Sequence, residues 1–362
     1  MQQASTQMLQ ASTLALEEDF LKALLNEISI RTNEIDETIK TIYIGGGTPS
    51  LFSVAKLDKI LKKIKESFKI SSEAEITIEV NPESINKEYI DKLCETGINR
   101  ISLGIQSLND SELKYLGRQH NKKNIYKGIE LLYSSSINNF SFDLIFGIPG
   151  QTTVSLKKQL NEIVKIKPNH LSVYALTVEP NTVLEYQIKK NKKAEPNEYL
   201  QEELFYFISK FLQNKGFEHY EISNYAKNKK YSKHNSAYWN GENYLGFGPS
   251  AHSLVNGRRF WNINSVNKYI KDLKQDKLSS QFEILSDVDK YNEFIMLSLR
   301  TSWGIDIEQF KRKLNIQEQN YFLKQSEELF KNKSLLKNEK KIIINPQKRF
   351  LTDGITANLF KV

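Results

Sequence analysis

A chain of 362 residues with 39% hydrophobic content can bury a sizeable core and is expected to form two or three structural units. Its one cysteine, Cys94, excludes a disulfide framework and any cysteine-rich metal site within a single chain. No apolar run approaches the roughly 20 residues of a membrane span, so a cytoplasmic protein is expected. The net charge of +8 comes largely from scattered lysines, such as Lys62-Lys63, Lys189-Lys190, Lys192-Lys193 and Lys229-Lys230. Spread in that way it fits solvated faces better than a nucleic-acid surface, and it is compatible with an anionic small ligand or a membrane surface.

Residues 1–17 contain a nearly duplicated heptad, Gln3–Leu9 and Gln10–Leu16, a low-complexity stretch expected to form a frayed helix or stay disordered. From Glu18 to Ile28 the apolar residues Phe20, Leu21, Leu24, Leu25 and Ile28 recur at helical spacing. Then the pattern alternates. Apolar strands at about 40–44, 74–80, 100–105, 139–146 and 170–176 are separated by helices at 54–69, 86–96, 109–117 with 123–134, and 152–166. That rhythm implies parallel strands with crossover helices over roughly 38–180, part of a (βα) barrel. A long amphipathic helix over 197–216 follows, then an aromatic segment, 217–260, with three of the five histidines. From 283 onward, helix–helix–strand signs predict a small winged-helix-like α+β unit. The expected division is 1–17, 18–196, 197–282 and 283–362.

Each predicted strand ends in residues of a ligand-binding type. The first runs into Gly45-Gly-Gly-Thr48, a turn of bare backbone N–H groups that a ligand can approach closely. It is neither a dinucleotide fingerprint nor a P-loop, since no Gly-x-Gly-x-x-Gly and no Gly-Lys-Ser/Thr follows. The later strands end in Glu79, in Gly104-Ile-Gln106, in Asp143 before Phe146-Gly-Ile-Pro149, and in Tyr174-Ala175. One βα unit apart, these fall on one rim of the sheet, where such folds bind ligands. Carboxylates, an amide and bare glycines suit a ligand bearing amine and hydroxyl groups. The alternative is that Glu79 and Asp143 cap helices or pair with Arg100 and Arg118.

The motifs Gly45-Gly-Gly-Thr-Pro-Ser50, Ile78-Glu-Val-Asn-Pro82, Arg100-Ile-Ser-Leu-Gly-Ile-Gln-Ser107, Leu116-Gly-Arg118, Asp143-Leu-Ile-Phe-Gly-Ile-Pro149 and His234-Asn-x-x-Tyr-Trp239 occur in this order. With them the chain resembles the radical-SAM haem chaperone family HemW, relatives of oxygen-independent coproporphyrinogen III oxidase, from about residue 18 onward. The resemblance implies an α/β fold, a partial (βα)6 radical-SAM barrel that binds S-adenosylmethionine (SAM) across the strand ends. Carried over, the SAM contacts are Gly46, Gly47, Thr48, Glu79, Gln106, Arg118, Asp143 and Ala175. His234, Asn235, Tyr238 and Trp239 are the implied haem residues, with His252 an alternative iron ligand. From the residues alone, His234 would instead hydrogen-bond in a loop, and Tyr238 and Trp239 would be core.

The implied function is to bind haem and deliver it to acceptor proteins, respiratory ones among them, with a homodimer or a membrane surface as further partners. Two other readings remain open: a coproporphyrinogen oxidase, and a non-catalytic remnant that binds a partner through its C-terminal unit. The family also implies a [4Fe–4S] cluster on a Cys-x3-Cys-x2-Cys loop just before Glu17, and that loop does not occur in this sequence. Ser5 and Met8 can be laid against cysteine positions only through the duplicated heptad, and Cys94 is expected to pack in a helix as a small hydrophobe. A truncated or disrupted start is the favoured explanation, with no radical chemistry expected of the chain as written.

Overall fold

The computed structural model describes the backbone of residues 2–362 and the side chains of 15–362 except Leu51. Side-chain expectations for Ser5 and Met8 therefore lie outside the described residues. In chain order the first elements are α1 (Gln2–Ile30), β1 (Ile39–Ile44), α2 (Val54–Ser67), β2 (Ile70–Val80), α3 (Lys87–Glu95) and β3 (Arg100–Gln106). Next come α4 (Asp110–Tyr115), α5 (Lys122–Tyr133), β4 (Phe140–Phe146), α6 (Thr153–Lys165), β5 (His170–Ala175), α7 (Val183–Lys189) and α8 (Glu198–Gln213). Then follow β6 (Glu218–Glu221), β7 (Asn224–Ala226), α9 (Lys233–Trp239), β8 (His252–Val255), β9 (Arg258–Asn262), α10 (Val266–Leu273) and β10 (Ser280–Ile284). The chain ends with α11 (Asp287–Leu299), β11 (Ile305–Asp306), α12 (Ile307–Lys313), α13 (Ile316–Lys331), β12 (Leu335–Lys337), β13 (Lys341–Ile344) and α14 (Thr352–Ala357). No helix among the described residues is long and apolar enough to cross a membrane.

Two compact units are distinguished. One comprises residues 1–40, 52–74 and 241–290, the other 41–51, 75–240 and 291–362. In the first, α1 packs on α2 through Leu21, Leu24, Ile28 and Ile60, and a β10-β9-β8 antiparallel sheet completes it. Its polar centre is Glu27, fully buried, which accepts from Arg31 Nη1 at 2.8 Å, Gly248 N at 2.8 Å, Asn262 Nδ2 at 2.7 Å and the Tyr269 hydroxyl at 2.6 Å. The Arg31 guanidinium in turn lies over the rings of Phe247 and Phe260, at 4.9 Å and 4.7 Å.

The second unit is organised by a seven-stranded sheet of order β1-β2-β3-β4-β5-β7-β6, curled into a half-barrel. β2 through β5 pair in parallel, as the βα rhythm requires, and β7 and β6 add antiparallel at the far edge. Ile101, Leu103, Phe142, Leu144, Leu171 and Val173 are buried, as are the apolar stripes of α3, α5, α6 and α8. Local signals set the helix starts: Asn86, Asn121, Thr152 and Asn197 each accept a backbone N–H of the first turn. The C-terminal part, α11 to α14 with the small sheet β11-β13-β12, has its own core around Ile295, Phe322, Ile342 and Leu359, and is the expected C-terminal α+β unit. Arg300 ties it to β6 through the buried Glu221 carboxylate at 2.9 Å.

Because Glu27 neutralises a buried guanidinium and satisfies three other donors, Glu27→Ala should cost about 3–5 kcal/mol in urea unfolding. Hydrogen exchange should locate that loss in 241–290. A loss below about 1 kcal/mol would show that Glu34, the second partner of Arg31, suffices.

Candidate functional site

The concave face of the half-barrel is built by alternate residues of each strand: Tyr43 from β1, Glu79 from β2, then Arg100, Ser102, Gly104 and Gln106 from β3. β4 adds Ser141, Asp143 and Ile145, and β5 adds His170, Ser172 and Tyr174. Central parallel strands normally read as continuous apolar runs. Here every second position except Ile145 is polar or small, because that face lines a cavity of about 450 Å³ rather than a core. Parallel register stacks these side chains in layers: Glu79, Ser102, Ser141 and His170 are linked across four strands, with Asp143 and Ser172 one step toward the rim.

At the rim, Gly46 (φ +80°) and Gly47 (φ +65°) take the left-handed conformation with open space beyond their α carbons. Gly45 is required for another reason. A Cβ there would lie 2.6 Å from the Tyr43 ring and 2.9 Å from Glu79 Oε1. The Tyr43 hydroxyl donates to Glu79 Oε1 at 2.7 Å. Burial, with the nearby charges of Glu79 and Asp143, holds that hydroxyl far above its ordinary range, so it stays protonated. At the end of β3 the ladder bulges, and Gln106 sits at φ +66°, a strained position for a residue with a side chain. Asp143 accepts from Ser102 Oγ at 2.8 Å and Ser141 Oγ at 3.2 Å. Burial pushes its carboxyl up to about 6, against the serine hydrogen bonds that favour the anion.

Of the eight residues expected to contact SAM, Gly47, Thr48, Glu79, Gln106, Arg118, Asp143 and Ala175 line this one cavity, and Gly46 sits beside it in the glycine turn. The alternative assignment of the carboxylates fails. Glu79 meets Tyr43 and Asp143 meets serines, and among the described residues neither caps a helix nor pairs with Arg100 or Arg118. Tyr43, Ser102, Ser141, His170 and Ser172 also line the cavity without having been expected there, and so does Arg100, expected only as a possible partner of the carboxylates. The signal that could have found them is the polar residue at every second position of β3, β4 and β5.

The four implied haem residues lie on α9, a helix where the residue-only reading expected a loop. Ser232 caps it, and the buried Glu75 carboxylate of β2 accepts from Lys233 N at 3.2 Å and His234 N at 3.0 Å. The His234 ring stacks on Tyr43 (4.7 Å, 16°), with Nδ1 3.0 Å from the Thr41 hydroxyl and the edge of Tyr238 against it at 5.0 Å. Burial lowers its pKa to about 4, so the imidazole is neutral near pH 7. Asn235 points elsewhere, into the cavity. Trp239 lies under the Arg300 guanidinium at 4.9 Å, and its buried Nε1–H has no hydrogen-bond partner among the described residues. Tyr238 and Trp239 are half-buried rather than core. His252, the alternative ligand, is exposed on β8 of the first unit and stacked on Trp261. His120, His170 and His219 are buried with both ring nitrogens engaged.

A three-thiolate cluster does not fit the residues present. The only thiol of the sequence, that of Cys94, is on α3, away from the cavity lining. No group of three or more His, Cys, Asp or Glu side chains among the described residues is placed to hold a metal.

Comparison with known proteins bears on the fold and the family. Residues 21–181 match the radical SAM superfamily and residues 285–347 the HemN C-terminal domain. The structure of coproporphyrinogen III oxidase (HemN) from Escherichia coli shares the fold, with a TM-score of 0.82 over 95% of this chain and 83% of that one, at 23% identity. The fold is thus a radical-SAM half-barrel with a HemN-type C-terminal domain. In sequence the chain is 33% identical over 331 residues to the haem chaperone HemW of Lactococcus lactis subsp. lactis (strain IL1403), covering 91% of this chain and 86% of that one. It is 35% identical over 304 residues to HemW of Bacillus subtilis (strain 168), covering 82% and 79%. The chain belongs to the HemW family.

The folded-state pKa of Asp143 lies above its unfolded value, so its contribution to stability is complete below about 4 and is lost as pH rises through about 6. His234 works in the opposite direction, losing its contribution as pH falls from about 6.5 toward 4, so the wild-type curve alone does not isolate Asp143. Urea unfolding of wild type and Asp143→Asn should therefore be compared between pH 4 and 7. The difference should shift in favour of the variant as pH rises, by at most about 3 kcal/mol. A constant difference would refute the perturbed carboxyl.

Proposed function

We propose that this chain binds haem together with SAM and passes haem to acceptor proteins, as its relatives are haem chaperones. The observation that carries the reading is Tyr43, whose hydroxyl is bonded to the cavity carboxylate Glu79 while its ring supports His234. One side chain thus serves both the cavity and the histidine motif. Gly47 and Thr48 N–H groups and Arg118 suit the methionine carboxylate, Glu79 the ammonium, and Asp143 with Gln106 the ribose hydroxyls or the adenine. Bound SAM would supply a sulfonium-activated carbon. The neutral His234 imidazole, with Nδ1 turned to Thr41, keeps Nε2 for iron, and Tyr238 and Trp239 offer flanking aromatic area. Residues 1–362 would carry out this binding without a three-cysteine cluster. Decarboxylation of coproporphyrinogen is the competing reading, and the fold alone speaks for it.

Haem titration followed by absorbance tests the proposal. The Soret shift should saturate near one haem per chain and weaken about tenfold or more in His234→Ala, which is roughly 1.4 kcal/mol. Tyr43→Ala should weaken both haem and SAM, whereas Glu79→Gln should weaken chiefly SAM. Absence of saturable haem binding by the wild type would overturn the reading.

A further inference from the structure

We infer that Arg100 is the pairing site for a ligand carboxylate at the end of the cavity opposite the glycine rim. Arg100 opens β3, on the same face as Ser102, Gly104 and Gln106, and is only 2% exposed although it lines the cavity. One of its donors, Nη1, is used on Asn139 Oδ1 at 2.8 Å. Among the described residues no carboxylate lies within ion-pair distance of it. An arginine has five N–H donors in a planar fork, and a buried charge without a counter-ion costs several kcal/mol. Such a group is sustained where an anion completes it.

The surroundings of Arg100 also lack a partner. Thr77, its register neighbour on β2, is buried, and its hydroxyl is unbonded among the described residues. Ser141, Ser232 and Asn235 line the same cavity and bring further polar groups to it. The nearby His170 imidazole is held neutral, by burial first and by the Arg100 charge second, so it does not compete as a cation. The lining carboxylates are engaged elsewhere, Glu79 with Tyr43 and Asp143 with serines, which leaves the Arg100 charge without a direct ion-pair partner among the described residues. A single planar guanidinium matches a monoanionic carboxylate. A phosphate dianion would need a second cation, and among the described lining residues the other one is Arg118, at the rim.

Two ligands can present that carboxylate: a porphyrin, through a propionate, and SAM, through its methionine end in the orientation opposite to the one proposed above. Asn235 of the histidine motif lines the cavity and favours the propionate. The porphyrin and SAM arms rest on the function proposed above, and the propionate arm does not.

The first test is thermal unfolding of the full chain in sodium propionate against sodium chloride at equal ionic strength. Propionate should raise the midpoint of the wild type and of Arg100→Lys, and leave that of Arg100→Gln unchanged. An equal rise in Arg100→Gln, or none in the wild type, would overturn the site. The second test compares mesoporphyrin IX with its dimethyl ester and SAM with decarboxylated SAM, in wild type and Arg100→Gln. A loss of about tenfold confined to mesoporphyrin supports a propionate, and one confined to SAM supports the methionine carboxylate. Unchanged affinity for every carboxylate would overturn the inference. If the wild type binds no porphyrin, the functional reading fails while the propionate result still decides the subsite.

Discussion

The site depends on one constraint, the two-residue period of a strand in a sheet that curls. Curling gives the sheet a face that cannot be filled like the other, since the side chains there converge on a limited volume. β3, β4 and β5 answer it by alternating buried isoleucine, leucine, phenylalanine and valine outside with serine, aspartate, histidine, arginine and glycine inside. Parallel register then sets those inner residues in layers, so that a serine on one strand reaches an aspartate on the next. A shift of one residue in any strand would put the polar set in the core and the apolar set in the cavity.

The polar interior has an electrostatic consequence. A carboxylate such as Asp143 is desolvated even though hydroxyls surround it, and its raised pKa records that desolvation outweighs the hydrogen bonds. Tyr43 shows the complementary case, a hydroxyl kept protonated so that it donates to Glu79. The same ring carries His234, whose helix is anchored at its N-terminus by Glu75 of β2. Edge strand, neighbouring strand and helix α9 are thereby joined through a few side chains.

The first unit solves a different problem by similar means. Its buried charges, Glu27 and Arg31, are fully engaged, the carboxylate with four donors and the guanidinium with carboxylates, Gly246 O, the Ser253 hydroxyl and two rings. Such a network holds loop and helix in one arrangement. Arg100 differs from Arg31 in this respect: one is saturated by protein groups and the other is not.

By itself the sequence determined the βα rhythm, the glycine turn and the strand-end residues Glu79, Gln106, Asp143 and Ala175. Each of these is written in spacing over a few residues, which local backbone geometry reads directly. The winged-helix-like unit was legible for the same reason, from its helix–helix–strand order. Tertiary structure alone decided what Arg100, His170 and Tyr43 do, because those roles come from register between strands and from the side on which the sheet curls. It also decided the fate of the histidine motif. His234 is settled by Thr41, Tyr43 and Glu75, residues 159 to 193 positions away, and neighbouring Asn235 turns into the cavity. No local pattern encodes approaches of that range; they follow from how the strands and α9 close on one another.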